Sequence, residues 1–455
     1  MSFVAHLDQA GEGYIKELQE FLRIPSISSL ASHHEECQRA SAWLASRLTL
    51  AGLENVCIYP TAGHPIVYGD WLHAPGAPTI LLYGHYDVQP ADPLELWKTL
   101  PFEPTIRDGR LFARGVSDDK GQLLLHVQAI EALMRADGAL PINIRLLFEG
   151  EEEIGSPHLG PFVRANHSLL QADVLLVSDT GMVALNAPTI CCGLRGITTL
   201  EIGLYGANTD LHSGLYGGGV PNPLHAMTQL LASLHHRDGR VAVEGFYDDV
   251  VELTAAERTQ LAGAALSESE LAKRLGLVSV AAEPGYTATE CMSIRPTVEI
   301  NGLFGGFQGE GVKTVIPRQA HAKISCRLVP NQDPEVTVRR VSEHLRSICP
   351  HTVHLDIQVG HGGRPWACDP SSPALQAARR ALEQTFAKPV AFVRMGGSIP
   401  VIEVFAEVLQ VPIVLMGFAP PDDNAHAPNE NFPLSTYRLA LQASCRTWHE
   451  MRALA

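Results

Sequence analysis

The chain has 455 residues, 45% of them hydrophobic and 18% charged, which is enough for two or more domains with separate cores. Its 34 Lys+Arg against 49 Asp+Glu leave a formal net charge of −15. That balance argues against nucleic acid or an anionic membrane surface as partner and leaves cations as compatible cofactors.

Taken in chain order, the first part alternates helix and strand signals. "CQRASAWLASRLTLAGL" puts Ala40, Leu44, Leu48 and Ala51 on one helical face and closes at Gly52. "TILLYGHYDV" and "ADVLLVSDT" are short apolar runs ending in polar residues, as central strands of a largely parallel sheet do. "GQLLLHVQAIEALMRADG" predicts a helix between them, stopping at Gly138. This βαβ rhythm predicts an α/β/α layered domain, with sites at the carboxyl ends of its strands.

From about residue 191 the pattern changes. "TTLEIGLYG", "AHAKISCRLVP" and "VHLDIQVG" alternate strictly, which predicts strands with one wet face. Ala322, Ile324, Cys326 and Leu328 face one way; Lys323, Ser325 and Arg327 face the other. The stretch "LTAAERTQLAGAALSESELAKRLGL" between them reads as helical. After this, "SSPALQAARRALEQTFAK" is an amphipathic helix, "VPIVLMGFAP" a buried strand and "STYRLALQASCRTWHEMRA" a closing helix. The simplest organisation is a catalytic domain in two segments, 1–190 and 366–455, interrupted by an α+β domain at 191–365.

The nine cysteines are odd in number and form no CxxC pair, which predicts free thiols in a reducing cytoplasm. The N-terminus shows neither a basic n-region followed by an apolar h-region nor a small-residue cleavage site. No stretch approaches the roughly 18 consecutive apolar residues of a membrane span.

Polar clusters follow the predicted strands. His85-Tyr86-Asp87 offers an imidazole with an acid two residues on, a ligand with its orienting partner or an ordinary turn. Asp118 in "RGVSDDKGQ" suits an N-cap as well as a ligand. The run "EGEEEIGS" is a solvated loop or an acidic site, Asp179 a cap or a ligand, and His426 alone a surface histidine. Together, however, four strand ends of one sheet deliver His, Asp, Glu-Glu, Asp and His to one edge, including two imidazoles and three carboxylates to serve as ligands. That set suffices for two divalent cations if one carboxylate bridges them, with a neighbouring glutamate as general base. The mixed N/O donors suit Zn best, with Mn or Co also compatible. Neither a G-x-S-x-G elbow nor an HExxH helix is present.

The motifs "GHYDVQP", "RGVSDDKGQ", "EGEEEIGS", "VSDT", "LHSGLYGG", "KTVIP", "RLVP", "GGSIP" and "NAHAPNE", in this order, resemble the co-catalytic metallopeptidases. These include carnosinases, cytosolic dipeptidases, glutamate carboxypeptidases and aminoacylases, and the likeness is greatest to the carnosinase-like branch. The resemblance implies that His85 and Asp179 hold one metal, Glu153 and His426 the other, and Asp118 bridges them. It implies a cis peptide bond after Asp118, Asp87 as the group orienting His85, and Glu152 as the base. The inserted domain resembles the family's lid and dimerisation domain. There His212 would serve the partner subunit's site in a homodimer, and Arg327 would bind the substrate's C-terminal carboxylate. Thr314, Gly397 and Ser398 match further substrate contacts. Glu149 and Glu151 receive no role.

The activity so implied is hydrolysis of dipeptides or short peptides. Two rivals are an N-acyl-amino-acid deacylase using the same site and a catalytically idle binding scaffold.

Overall fold

A computed structural model describes residues 3–264, 266–397 and 399–454. The chain forms two compact units. The first comprises 1–192, 368–393 and 400–455; the second comprises 193–367 with the short segment 394–399.

The first unit is built on a mixed sheet whose four central strands lie side by side and parallel: Asn143–Glu149, Thr79–His85, Val174–Val177 and Ile413–Leu415. Antiparallel strands flank them, Ile66–Trp71 and Glu54–Tyr59 on one side and Thr189–Leu194 on the other. Central strands must bury both faces, which is why these segments are continuous apolar runs. Along Thr79–His85, Ile80 and Leu82 join the core formed with helices Phe3–Leu22, Lys120–Asp137 and Leu434–Met451. Tyr83, on the opposite face, packs edge-on against Phe405 of helix Pro400–Val408. The result is the expected α/β/α layering. Helix Lys120–Asp137 ends at Gly138 in a left-handed conformation, φ 75°, which glycine adopts without a Cβ penalty.

The second unit is a four-stranded antiparallel sheet in the order Thr297–Gly305, Gln319–Leu328, Gly196–Tyr205, His354–Gly363. Ala320, Ala322, Ile324, Cys326 and Leu328 are buried against helices Pro223–Ser233 and Pro334–Ile348, while Lys323 is exposed. Both helices start at an Asx-Pro step. Asn222 caps the amide of Leu224, Asp333 caps those of Glu335 and Val336, and proline occupies the first turn where no amide is needed.

The helical stretch read at 253–277 is two helices, Ala255–Ala264 and Glu268–Leu275. Ser267 starts the second through a reciprocal capping box with Glu270, so a cap signature overrides the continuous helical propensity. The nine cysteines carry thiols, with no disulfide among the described residues. No helix among the described residues is long and apolar enough to cross a membrane.

Candidate metal centre

The four central parallel strands all end at the same edge, and three of them carry site residues directly. His85 closes Thr79–His85, Asp179 lies two residues beyond Val174–Val177, and Glu152 and Glu153 open a 3-10 turn just after Asn143–Glu149. Asp118 and His426 arrive on loops. A small sheet holds those loops together, in which Asn431–Pro433 pairs with Arg110–Phe112. The peptide bond Asp118-Asp119 is cis.

These side chains form two donor sets that share one carboxylate. His85, Asp118 and Asp179 make one, and Asp118, Glu153 and His426 the other. His85 Nε2 lies 3.1 Å from Asp118 Oδ1 and 3.9 Å from Asp179 Oδ2. His426 Nε2 lies 2.8 Å from Asp118 Oδ2 and 3.3 Å from Glu153 Oε2. His85 Nδ1 faces the Asp87 carbonyl at 3.1 Å and the Asp87 carboxylate at 3.4 Å, an arrangement that leaves the Nε2 lone pair free to act as a ligand. Besides facing His85, the Asp87 carboxylate accepts the amides of Glu152 at 3.2 Å and Glu153 at 3.1 Å. It thereby ties the glutamate turn to the strand carrying His85.

The electrostatics are those of a concentrated acidic site. Burial works to raise the Asp118 carboxyl, but hydrogen bonds from His426 and His85 hold it below the usual carboxylate range. Bonds to Asp118 and Glu153 push the His426 imidazole up to about 10. Burial pushes Glu152 up to about 7; the Asp118 and Glu153 carboxylates add to the shift, and His85 opposes it. Glu153 Oε1 is buried without a hydrogen-bond partner, although Gln89 donates to Oε2 at 2.7 Å. An orphaned buried carboxylate oxygen inside a mixed N/O donor set fits a divalent cation.

The four glutamates of "EGEEEIGS" divide. Glu149 accepts from Tyr83 at 2.6 Å and Ser156 at 2.8 Å, and burial pushes it up to about 8. Glu151 accepts the His64 amide at 3.1 Å and faces His158 Nδ1 at 2.8 Å. Both are fully engaged in holding loops; Glu152 and Glu153 are the pair at the donor sets.

One important residue escaped the sequence. Glu430, fully buried, receives the Arg114 guanidinium at 2.7 Å and the amides of Gly115, Ser117 and Asp118 at 2.9, 2.8 and 3.2 Å. It therefore joins the Asp118 loop to the His426 loop. The only available signal was an acid placed immediately before a strand in "NAHAPNE". Removing one partner of a buried pair strands the other charge, so Glu430→Ala is expected to lower unfolding free energy by about 3–5 kcal/mol in urea titration. A loss below about 1 kcal/mol, the size of an exposed pair, would contradict this.

The second unit carries the other predicted residues. His212, exposed, accepts the Gly214 amide through Nδ1 at 3.0 Å. The adjacent Ser213 amide donates to the Thr314 carbonyl at 3.1 Å, so His212 and Thr314 are neighbours. Arg327 is half-buried and sits opposite Ile197 and Thr297. Gly397 is exposed, and Ser398 lies outside the described residues.

Fold and donor sets together define an α/β protein that gathers imidazoles and carboxylates for a pair of cations at the ends of its central strands. The chain belongs to peptidase family M20/M25/M40, whose family model matches residues 81–450. It is 31% identical over 465 residues to the Cys-Gly metallodipeptidase dug1 of Schizosaccharomyces pombe, covering 99% of this chain and 98% of that one. Its fold matches the M20 family metallo-carboxypeptidase Sso-CP2 of Sulfolobus solfataricus with TM-score 0.86 and 32% identity, covering 97% and 99% of the two chains. Human carnosine dipeptidase 1 matches with TM-score 0.84 and 27% identity over 99% and 98%.

Proposed function

We propose that this metallopeptidase hydrolyses dipeptides or short peptides that carry a free C-terminal carboxylate. The observation that carries the reading is Asp118, whose two oxygens reach His85 and His426 at 3.1 and 2.8 Å and so link two donor sets into one. The names of the metallodipeptidase, carboxypeptidase and carnosine dipeptidase relatives support the same substrate class.

His85 and Asp179 would hold one cation, Glu153 and His426 the other, and Asp118 both. Zn suits these donors best, with Mn or Co as alternatives. When bound, the cations supply Lewis-acid polarisation of the scissile carbonyl and acidify water. Glu152 takes the proton from the attacking water and returns it to the leaving amine. A carboxyl pushed toward 7 is suited to both halves of that transfer. Asp87 keeps Glu152 and Glu153 in place through their amides. Arg327 receives the substrate carboxylate with its planar fork, and Thr314, Gly397 and Ser398 add substrate contacts.

His212 stabilises the oxyanion in the partner subunit's site, which makes the working form a homodimer. The exposed apolar residues Ile300, Leu303 and Phe304 on edge strand Thr297–Gly305 support a covered surface there. The protein works in the cytoplasm, with no nucleic-acid or membrane partner.

The test is a panel of free dipeptides, the same dipeptides amidated at the C-terminus, and N-acyl amino acids, each assayed with defined Zn or Mn loading. Free dipeptides are expected to lead by about tenfold or more in kcat/KM, the size of one lost charge-assisted contact. Preference for acyl substrates would overturn the reading.

A further inference from the structure

The segment 394–399 lies in the chain between two pieces of the first unit, yet it packs with the second. Arg195 is the side chain that ties it there. The Arg195 amide donates to the Met395 carbonyl at 3.3 Å, and Nε donates to the Gly396 carbonyl at 3.0 Å. Nη1 donates to the carbonyls of Cys291 at 3.4 Å and Arg295 at 3.3 Å. One guanidinium thus joins three stretches distant in sequence: the start of strand Gly196–Tyr205, the helix Ala288–Ser293 with the residues after it, and the segment 394–399.

The fit is close. A Cβ built on Gly396 would stand 2.2 Å from the Met292 carbonyl oxygen and 2.9 Å from Arg195 Nη2, so no side chain can occupy that position undisturbed. The next residue, Gly397, has nothing within 4 Å of an added Cβ and faces open space. The strand that Arg195 leads into pairs with the strand of Arg327, with Gly196 opposite Leu328 and Ile197 opposite Arg327. Burial and then the Arg327 charge hold the Arg195 guanidinium down at about 10. A half-buried pair of like charges is costly unless oxygen acceptors or an anion compensate it. For Arg195 the carbonyl oxygens of Gly396, Cys291 and Arg295 do so.

We propose that Arg195 is a positioning residue for the substrate carboxylate. It fixes the backbone at 395–397 beside Arg327, so that Gly397 and Arg327 address the same C-terminal carboxylate. This rests on the assignment of Arg327 and Gly397 to substrate. A lysine has one compact ammonium and cannot span the three carbonyls that a planar fork reaches, so Arg195→Lys keeps the backbone bond to Met395 but releases the Gly396 carbonyl.

The experiment compares kcat/KM for a free-acid dipeptide and its C-terminal amide in the wild type, Arg195→Lys and Gly396→Ala. The Gly396→Ala variant keeps Arg195 but displaces the carbonyl it holds. In both variants the acid-over-amide preference is expected to fall about tenfold or more, through a higher KM for the acid. Turnover of the amide stays near wild type in both variants, while the thermal midpoint of Gly396→Ala falls as the backbone gives way to the added Cβ. If the wild type prefers the acid and both variants keep that preference, Arg195 has no positioning role even if overall activity drops. If the wild type shows no preference, the assignment of Arg327 fails first, and the role of Arg195 with it.

Discussion

Glu152→Gln is expected to reduce kcat by roughly 10²–10⁴-fold, the range general acid–base catalysis contributes, while the protein still binds two divalent cations. Glutamine keeps the size and one oxygen but cannot accept a proton. Glu152 belongs to neither donor set, so cation content measured by plasma mass spectrometry should not change. Its backbone amide, not its carboxylate, is what Asp87 holds, so the turn should also stay in place. Glu151→Gln is the control. Its carboxylate serves His64 and His158, and its loss should lower the thermal midpoint with much less effect on turnover. Full activity in Glu152→Gln at unchanged cation content would move the proton transfer to another residue.

Why the glutamates after the strand stood out in the sequence, and Glu430 did not, has a physical basis, whereas the division of Glu152 from Glu153 rested on the family resemblance. A strand buried on both faces has to be an apolar run, so the polar residue that ends it is conspicuous. His85 and Asp179 stand out in this way after "TILLYG" and "DVLLV", and the glutamates after "NIRLLF". Glu430 sits in a polar loop and looks like any surface acid. Its role depends on Arg114 and three amides more than 300 residues away, a contact that no local pattern encodes.

The same reasoning covers the segment 394–399. Its neighbours in sequence belong to the first unit, and its bonds to the backbone and side chain of Arg195 reveal where it packs. By contrast, the break inside 253–277 was legible. Ser267 followed three residues later by Glu270 is a capping-box signature, hidden only by the alanine-rich run before it. The N-terminal helix Phe3–Leu22 was also within reach, since Leu7, Tyr14, Leu18 and Phe21 recur at helical spacing and are all buried.

The second large effect concerns Asp118, the one residue common to both donor sets. Asp118→Ala is expected to lose both cations together, where Asp179→Asn and Glu153→Gln should each lose one and retain the other. Loss of a supporting hydrogen bond near a metal typically costs 10–100-fold in affinity, and removal of a ligand shared by two ions should exceed that for each ion. The measurement is cation content after equilibrium dialysis against a graded series of free Zn or Mn. Asp118→Ala should need more than about 100-fold higher free metal to reach half-loading, and its loading should no longer reach two. Glu430 remains available to hold the neighbouring amides, so the loop itself should persist and the effect can be attributed to the carboxylate. Retention of one tightly bound cation in Asp118→Ala would mean that the two sets act independently and that their shared carboxylate is incidental. That outcome would leave each set with only two of its three donors, fewer than the four ligands a divalent zinc site ordinarily uses. The shared geometry of Asp118 therefore makes joint loss the outcome the site's own donor count requires.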